Sequence, residues 1–529
     1  MNVQHKFSNI IRNKQREFII LYIYALLLYS PLIVLRLTNS MDGMWDQDDH
    51  AAGAAELRIG RWFWPYLDRL RMNVSLDPLP TIVSLAFFVA GILLIVSVLQ
   101  LRMRILTYAA AMLFLSSPAV LCQLSYSYMS ITFSTSFLLA VLAVWIAAGD
   151  RGSRRGKILQ VLLSGLVISV MMGCYQASLG VTCVTALVLF LLMLAREEKG
   201  DNLKEKRNGS PWYFVLRMLL ALILGAVLYE AFLQANLAYF QETMSDYNGA
   251  DAITFSGVLA GLPKAIRHTY SSFCFYYGNN GYHFSALQGS RWFYLLYLVP
   301  AAGCIGLVIR GVKKGGWLRG LVMLLGILLL PVFANSFFLL AAGSETMMQM
   351  TAGMALTLPL VLCFWTELSG MKILHKGASW ILAAGIFLLC YGAAGQAAID
   401  QYAMYVGRQA SFSLADNVMD VLAISGVDYT ENVVLVYGAP ADSPLFVRTE
   451  LYQKANPYAQ YGSWNGNVEL NRLCWSHFFE QQLRVNVNYA EGDTLETIYH
   501  SPEAAAMPVY PAAGSVANVW GVTVVKVSE

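Results

Sequence analysis

Apolar residues fall along this chain in long unbroken blocks separated by polar stretches. Eleven blocks reach the ~20 residues that a helix needs to cross the hydrocarbon core of a bilayer. They are 17–37, 79–101, 105–124, 129–149, 158–174, 177–195, 212–236, 292–311, 317–341, 348–367 and 376–398. The pattern predicts a polytopic α-helical membrane protein with about eleven transmembrane helices. The first block lacks a small-residue cleavage site and more spans follow it, so it reads as a helix rather than a signal peptide.

Three polar segments are long: 38–78, 237–291 and the tail beyond 398. In the tail, Tyr402, Val406, Ala410, Leu414, Val418 and Leu422 keep helical spacing over 400–425. Val433-Val-Leu-Val-Tyr-Gly438 is a short apolar run closed by glycine, as a buried strand is. Residues 472–485 read as a helix and Val522–Val527 as a closing strand. The expectation is a transmembrane domain over 1–398 and a small α/β domain over 399–529.

Charge then orients the chain. Only 13% of the 529 residues are charged and 57% are apolar, against about 25% charged in an ordinary soluble domain. That excludes a soluble multi-domain enzyme and a disordered chain. A net charge of +3 gives no basic field for nucleic acid. The N-terminal tail and the loops after spans 2, 4, 6, 8 and 10 hold 22 of the 36 Lys and Arg residues, whereas the short loops after spans 3, 5 and 9 hold none. Positive charge marks the cytoplasmic side, so the N-terminus is expected inside and the three long segments outside. There is no P-loop and no glycine-rich dinucleotide turn. The eight cysteines sit mostly in spans and form no disulfide framework; Cys274 and Cys474 alone are expected outside.

Candidate chemistry therefore gathers on the outer face. The first loop places Asp42, Asp46, Asp48 and Asp49 within eight positions. Carboxylates beside a membrane suit a general base or a divalent cation, or they form an acidic solvated turn with Asp48 or Asp49 as a helix N-cap. Arg58, Arg61, Arg69 and Arg71 follow, mixed with Trp62, Phe63, Trp64 and Tyr66. Aromatics of this kind anchor at the interface, and arginine grips phosphate with two donors. In the second long loop Lys264, Arg267 and His268 share a helix face. Glu230 near the end of one span and Glu345 in a turn are ionisable groups near membrane depth. Tyr175-Gln176 occupies the turn between spans 5 and 6.

Four of these features recur in order along nearly the whole chain: Asp48-Asp49, Gly60-Arg61-Trp62, Tyr175-Gln176-Ala177, and Tyr510-Pro-Ala-Ala-Gly514-Ser with Val524-Val-Lys526. In this the chain resembles the bacterial polytopic membrane glucosyltransferases of the O-antigen glucosyltransferase II type, which have a C-type glycosyltransferase (GT-C-like) fold. The resemblance implies a bacterial plasma-membrane enzyme that moves a hexose, glucose, from a polyprenyl-phosphate carrier to an extracytoplasmic surface glycan with inversion. It places the general base among the first-loop aspartates, Asp49 or Asp48. The residues themselves add Arg61, Arg58, Lys264 and Arg267 as candidate ligands of the donor phosphate, and Trp62, Tyr175, Gln176, Glu230 and Glu345 as candidate lining. No cofactor is expected, and no motif requires a metal. Met347-Met-Gln-Met departs from the pattern, standing where a basic residue is expected. The competing reading is a carrier that moves a lipid-linked sugar across the bilayer; against it, no internal repeat is found.

Overall fold

The computed structural model describes residues 14–44, 50–149, 153–197, 210–245, 255–278, 291–340, 345–368, 376–464 and 467–529. The chain is mostly helical, with one small sheet near its C-terminus. Every predicted apolar block is helical, but not every block is one helix. Among the described residues seven helices are long and apolar enough to cross a membrane, or eight when the bent pair Ile105–Leu115 and Pro118–Leu124 counts as one span.

The difference from eleven lies in four broken blocks. The first stops at Leu28 and resumes at Ser30, with Pro31 at the start of the second piece. The third bends by 49° at Ser116-Ser117, where Pro118 opens the new helix and the Ser117 side chain caps Val120 N–H. The ninth divides into Trp317–Leu328 and Leu330–Ala334 at Pro331. The tenth divides into Ala352–Leu362 and Phe364–Leu368, with Pro359 inside the first piece. Proline removes a backbone donor and clashes with the preceding turn. Breaks of this kind persist in a membrane where protein covers the freed backbone groups.

Two kinds of apolar helix follow from burial. Leu79–Val98 and Gln176–Arg196 bury 67% and 83% of their most apolar window, whereas Pro211–Phe240 and Trp292–Gly315 bury 22% despite a mean hydropathy of 2.0. Apolar surface left uncovered to that extent fits contact with lipid. Small residues let these helices approach closely. A Cβ on Gly225 would lie 2.6 Å from the Ile168 side chain and 3.1 Å from Gly165 O, so Arg154–Cys174 and Pro211–Phe240 meet almost backbone to backbone.

The last apolar block does not end at 398. It continues as one helix, Lys376–Ile424, of 49 residues, about 74 Å at 1.5 Å per residue and more than twice a ~30 Å hydrocarbon core. Its far end turns Leu414, Ala415, Val418 and Leu422 into a core with Val434, Trp464, Trp475 and Phe478. There β1 (Val434–Tyr437), β2 (Val516–Val519) and β3 (Val522–Lys526) form a sheet in the order β1-β3-β2, with β1 parallel and β2 antiparallel to β3. All eight cysteines are free, so packing and hydrogen bonds hold this part together.

Polar contacts join the long helix to both sides. Gln401 donates to Leu28 O and accepts from Leu32 N–H, closing the gap in the broken first span. Asp400 is fully buried and accepts from Gln396, from Asn456 N–H and Nδ2, and from the Tyr458 hydroxyl. Removing it strands those donors. Asp400→Ala should cost about 3 kcal/mol and lower the thermal unfolding midpoint of the purified protein, whereas Asp420→Ala, at an exposed site on the same helix, should leave the midpoint unchanged.

Candidate functional site

The first loop is built into the helices rather than laid over them. Thr38, Asn39 and Ser40 are buried. Asn39 N–H donates to Ser125 O, and its side-chain carbonyl accepts from Met41 N–H and Gly43 N–H at 3.0 and 2.7 Å. This asparagine turn sets the short Asp42–Met44 helix. Gly43 fits there because a Cβ would lie 2.6 Å from Ser125 O. Met44 is then buried with Trp464, Cys474 and Trp475 of the C-terminal part.

That placement half-buries Asp42, whose carboxylate accepts from the Tyr126 hydroxyl at 3.2 Å. Burial raises its pKa above the ordinary carboxylate value; the Tyr126 hydrogen bond and the positive charge of Arg61 oppose the rise without cancelling it. The result is a carboxylate whose proton affinity is tuned upward, as a general base requires.

Arg61 lies in an aromatic cage. Its guanidinium sits 5.5 Å from the Trp64 ring centre and 5.4 Å from that of Tyr175, and Nη1 points at the Met129 sulfur at 3.8 Å. Nε is buried with no partner among the described residues. A buried donor left without a partner is costly.

A clasp holds this arginine in place. Gln176 Nε2 donates to Ile59 O at 2.8 Å and to the Tyr229 hydroxyl at 3.1 Å, and Tyr229 in turn donates to Gly60 O at 3.0 Å. Gly60 has φ +85°, and a Cβ there would strike both the Tyr229 hydroxyl and the Gln176 amide. Phe63 N–H donates to Gly173 O, and Trp62 packs flat on Gly173. Gly60-Arg61-Trp62 and Tyr175-Gln176, 115 residues apart, thus form one structure.

A second cluster supports the first. Asp68, 1% exposed, accepts from Trp64 Nε1, Ala52 N–H and Arg71 Nε at 3.1, 2.9 and 2.9 Å. Arg71 also donates to Tyr128 O. His50 lies between the Trp64 and Tyr128 rings, with Nε2 3.8 Å from Glu56 and 4.0 Å from Asp68. Asp68 went unnoticed in the sequence because it stands alone; Trp64 and Asp68 at helical i, i+4 spacing were the available signal.

The remaining sequence candidates are dispersed. Asp48 and Asp49 lie outside the described residues, between Met44 and His50. Arg58 pairs with Glu242 at 2.6 Å and ties the loop to the end of the Pro211–Phe240 helix. Tyr175 is buried beneath Arg61, and Trp62 is 7% exposed among Leu57, Leu233 and Leu237. Glu230 is exposed and accepts from Gln234; Glu345 is exposed. Lys264 and Arg267 are exposed on the Phe255–Gly278 helix. His268 on the same helix faces Ser272, Thr346 and Phe338. Gln349, within the unexpected Met347-Met-Gln-Met stretch, accepts through its backbone carbonyl from Gln123.

Apolar helices around a caged arginine and a tuned carboxylate define a polytopic helical membrane protein with a polar site in its first loop. The model of the family Glucosyl transferase GtrII matches residues 33–362, which is 330 of the 529 residues and includes the loop, the cage and the clasp. The chain belongs to this glucosyltransferase family. No curated protein and no solved structure matches it.

The clasp makes a direct prediction. Gly60→Ala should displace Arg61 and lower glucosyl transfer by up to about a hundredfold, the order of what a 1 Å misplacement costs. Gly53→Ala, whose added Cβ meets nothing closer than 3.9 Å, should leave transfer unchanged in the same assay.

Proposed function

We propose that this glucosyltransferase takes its hexose, glucose, from a polyprenyl-phosphate carrier at the outer face of a bacterial plasma membrane and passes it to an extracytoplasmic surface glycan. The observation that carries this reading is the caged Arg61 beside Asp42: a half-buried cation whose buried Nε has no partner among the described residues, next to a carboxylate of raised proton affinity. A lipid phosphate is the anion that such a site, framed by apolar helices, would meet. The distribution of basic residues supports an outer-side first loop, and a donor already carried by lipid calls for no nucleotide-binding motif.

In the reaction, an acceptor hydroxyl oxygen attacks the anomeric carbon while the bond from that carbon to the phosphate oxygen breaks. The hydroxyl proton passes to a first-loop carboxylate, and the lipid phosphate leaves with the bonding electrons. Arg61 stabilises the charge that develops on the phosphate. A single displacement inverts the anomeric configuration. Asp42 has the surroundings of the base; Asp48 and Asp49 are carried by family resemblance. Trp64 and Tyr175 keep Arg61 from rotating away, and the Asp68 network fixes Trp64.

Purified protein in lipid nanodiscs, given polyprenyl-phosphate glucose and an acceptor glycan, tests this. Asp42→Asn should lower kcat about a hundredfold or more, and Arg61→Ala should lower kcat/KM by a comparable factor. Asp48→Asn and Asp49→Asn should lose less; loss confined to one of them moves the base to that residue. Full transfer by all three Asn variants contradicts a first-loop base. The pH profile adds a sign. The base must be ionised, so wild-type transfer should fall on acidification through a value above the ordinary ~3.9 of aspartate. Asp42→Asn should lack that limb.

A further inference from the structure

The C-terminal part carries a second polar concavity that hexose transfer leaves unused. A cavity of about 530 Å³ opens beside the Val468–His477 helix, Thr430 and the extended segment 486–491, within the range of small-ligand sites. Tyr489 lines it, 9% exposed, and its buried hydroxyl has no partner among the described residues. Its ring rests near Phe479, centres 6.2 Å apart, and burial pushes its phenol well above the usual value, so the group stays a neutral donor.

The wall is rigid. Arg472 donates to Glu469 at 2.7 Å and to Glu491 at 2.9 Å, which neutralises its charge and locks its planar fork. The Phe478–Leu483 stretch is a π-helix, a rare widened turn found often at functional sites, and it carries Glu480 to the rim. Asn488 is held by a bond to Glu431 O, with Asn486 beside it at the mouth.

This lining selects a ligand by charge and by hydrogen-bond type. Glu480 and Glu491 outweigh the paired Arg472, so the cavity repels phosphate and other anions. Among the described residues no three His, Cys, Asp or Glu side chains converge as a cation site would require. Fixed guanidinium, amide, carboxylate and phenol groups offer donors and acceptors together, over one aromatic ring. A polyhydroxylated neutral ligand satisfies that set.

The cavity is also tied to the first loop. Arg408 donates to Gln482 in the π-helix and to Leu35 O at the loop's start. The Val468–His477 helix packs through Cys474 and Trp475 in the same core as Met44, two residues from Asp42. We propose that this cavity docks a neutral saccharide segment of the acceptor glycan and presents the chain to the first-loop site. The proposal rests on the transfer reading for the identity of that glycan.

Surface polysaccharide from cells lacking the gene, freed of lipid and cut to short fragments, is the probe, with the full chain in nanodiscs. Tyr489→Phe removes only the unpartnered hydroxyl, and Glu480→Ala alters the rim. Both should raise acceptor KM about tenfold, the loss of one useful hydrogen bond. Donor KM, kcat and the unfolding midpoint should not move. Unchanged acceptor KM in both variants overturns the proposal. Equilibrium dialysis of radiolabelled fragments reads binding apart from transfer: wild-type binding weakened about tenfold by Tyr489→Phe supports the site even if the lipid donor proves wrong. No binding by the wild type overturns the site even if transfer is observed.

Discussion

A guanidinium half-buried among aromatic rings must be held, because its surroundings replace only part of the water it gives up. In this chain the hold is the clasp of Gln176 and Tyr229 on the backbone of Ile59 and Gly60. With it, Arg61 lies over Tyr175 and Trp64 and close enough to Asp42 to act on its proton affinity. It works with the bonds of Asn39 to Ser125, Phe63 to Gly173 and Arg71 to Tyr128, which also fix the first loop on the helices. The Asp68 bonds to Trp64 and Arg71, and the Asn39 turn that places Asp42, gain their meaning from that anchor.

The second constraint is the length of the Lys376–Ile424 helix. A 49-residue helix runs from the apolar bundle into the C-terminal core without a joint. Asp400 and Gln401 stitch it to the loop at Asn456–Tyr458 and to the gap in the first broken span. Arg408 bonds the end of that span as well as Gln482. The C-terminal part is therefore coupled to the loop that carries Asp42, a geometry that suits the delivery of a bulky acceptor to a site at the membrane surface.

Much of this was readable from the chain. Apolar runs located the seven described helices that are long and apolar enough to cross a membrane, because hydropathy over ~20 residues reflects the solvent directly. They did not show that 17–37 or 105–124 break, since proline and paired serines within an apolar run hardly change its hydropathy. The run at 376–398 and the helical spacing at 400–425 looked like two elements because hydropathy shifts there while backbone geometry does not. Arg61 and the Tyr175-Gln176 turn stood out by type, but their contact across 115 residues has no local signature. Asp68 is a lone carboxylate in sequence, and Met44 reads as an ordinary loop residue, although one organises the cage and the other docks the C-terminal part.

The central claim is that the sugar arrives on a lipid phosphate. The most direct measurement uses the purified chain in sealed vesicles, with glycan acceptor outside and labelled glucose supplied either as polyprenyl-phosphate glucose in the bilayer or as a nucleotide sugar in solution. The account predicts label in the glycan from the lipid donor without any nucleotide present. Transfer from the nucleotide sugar in vesicles free of the lipid donor would contradict it.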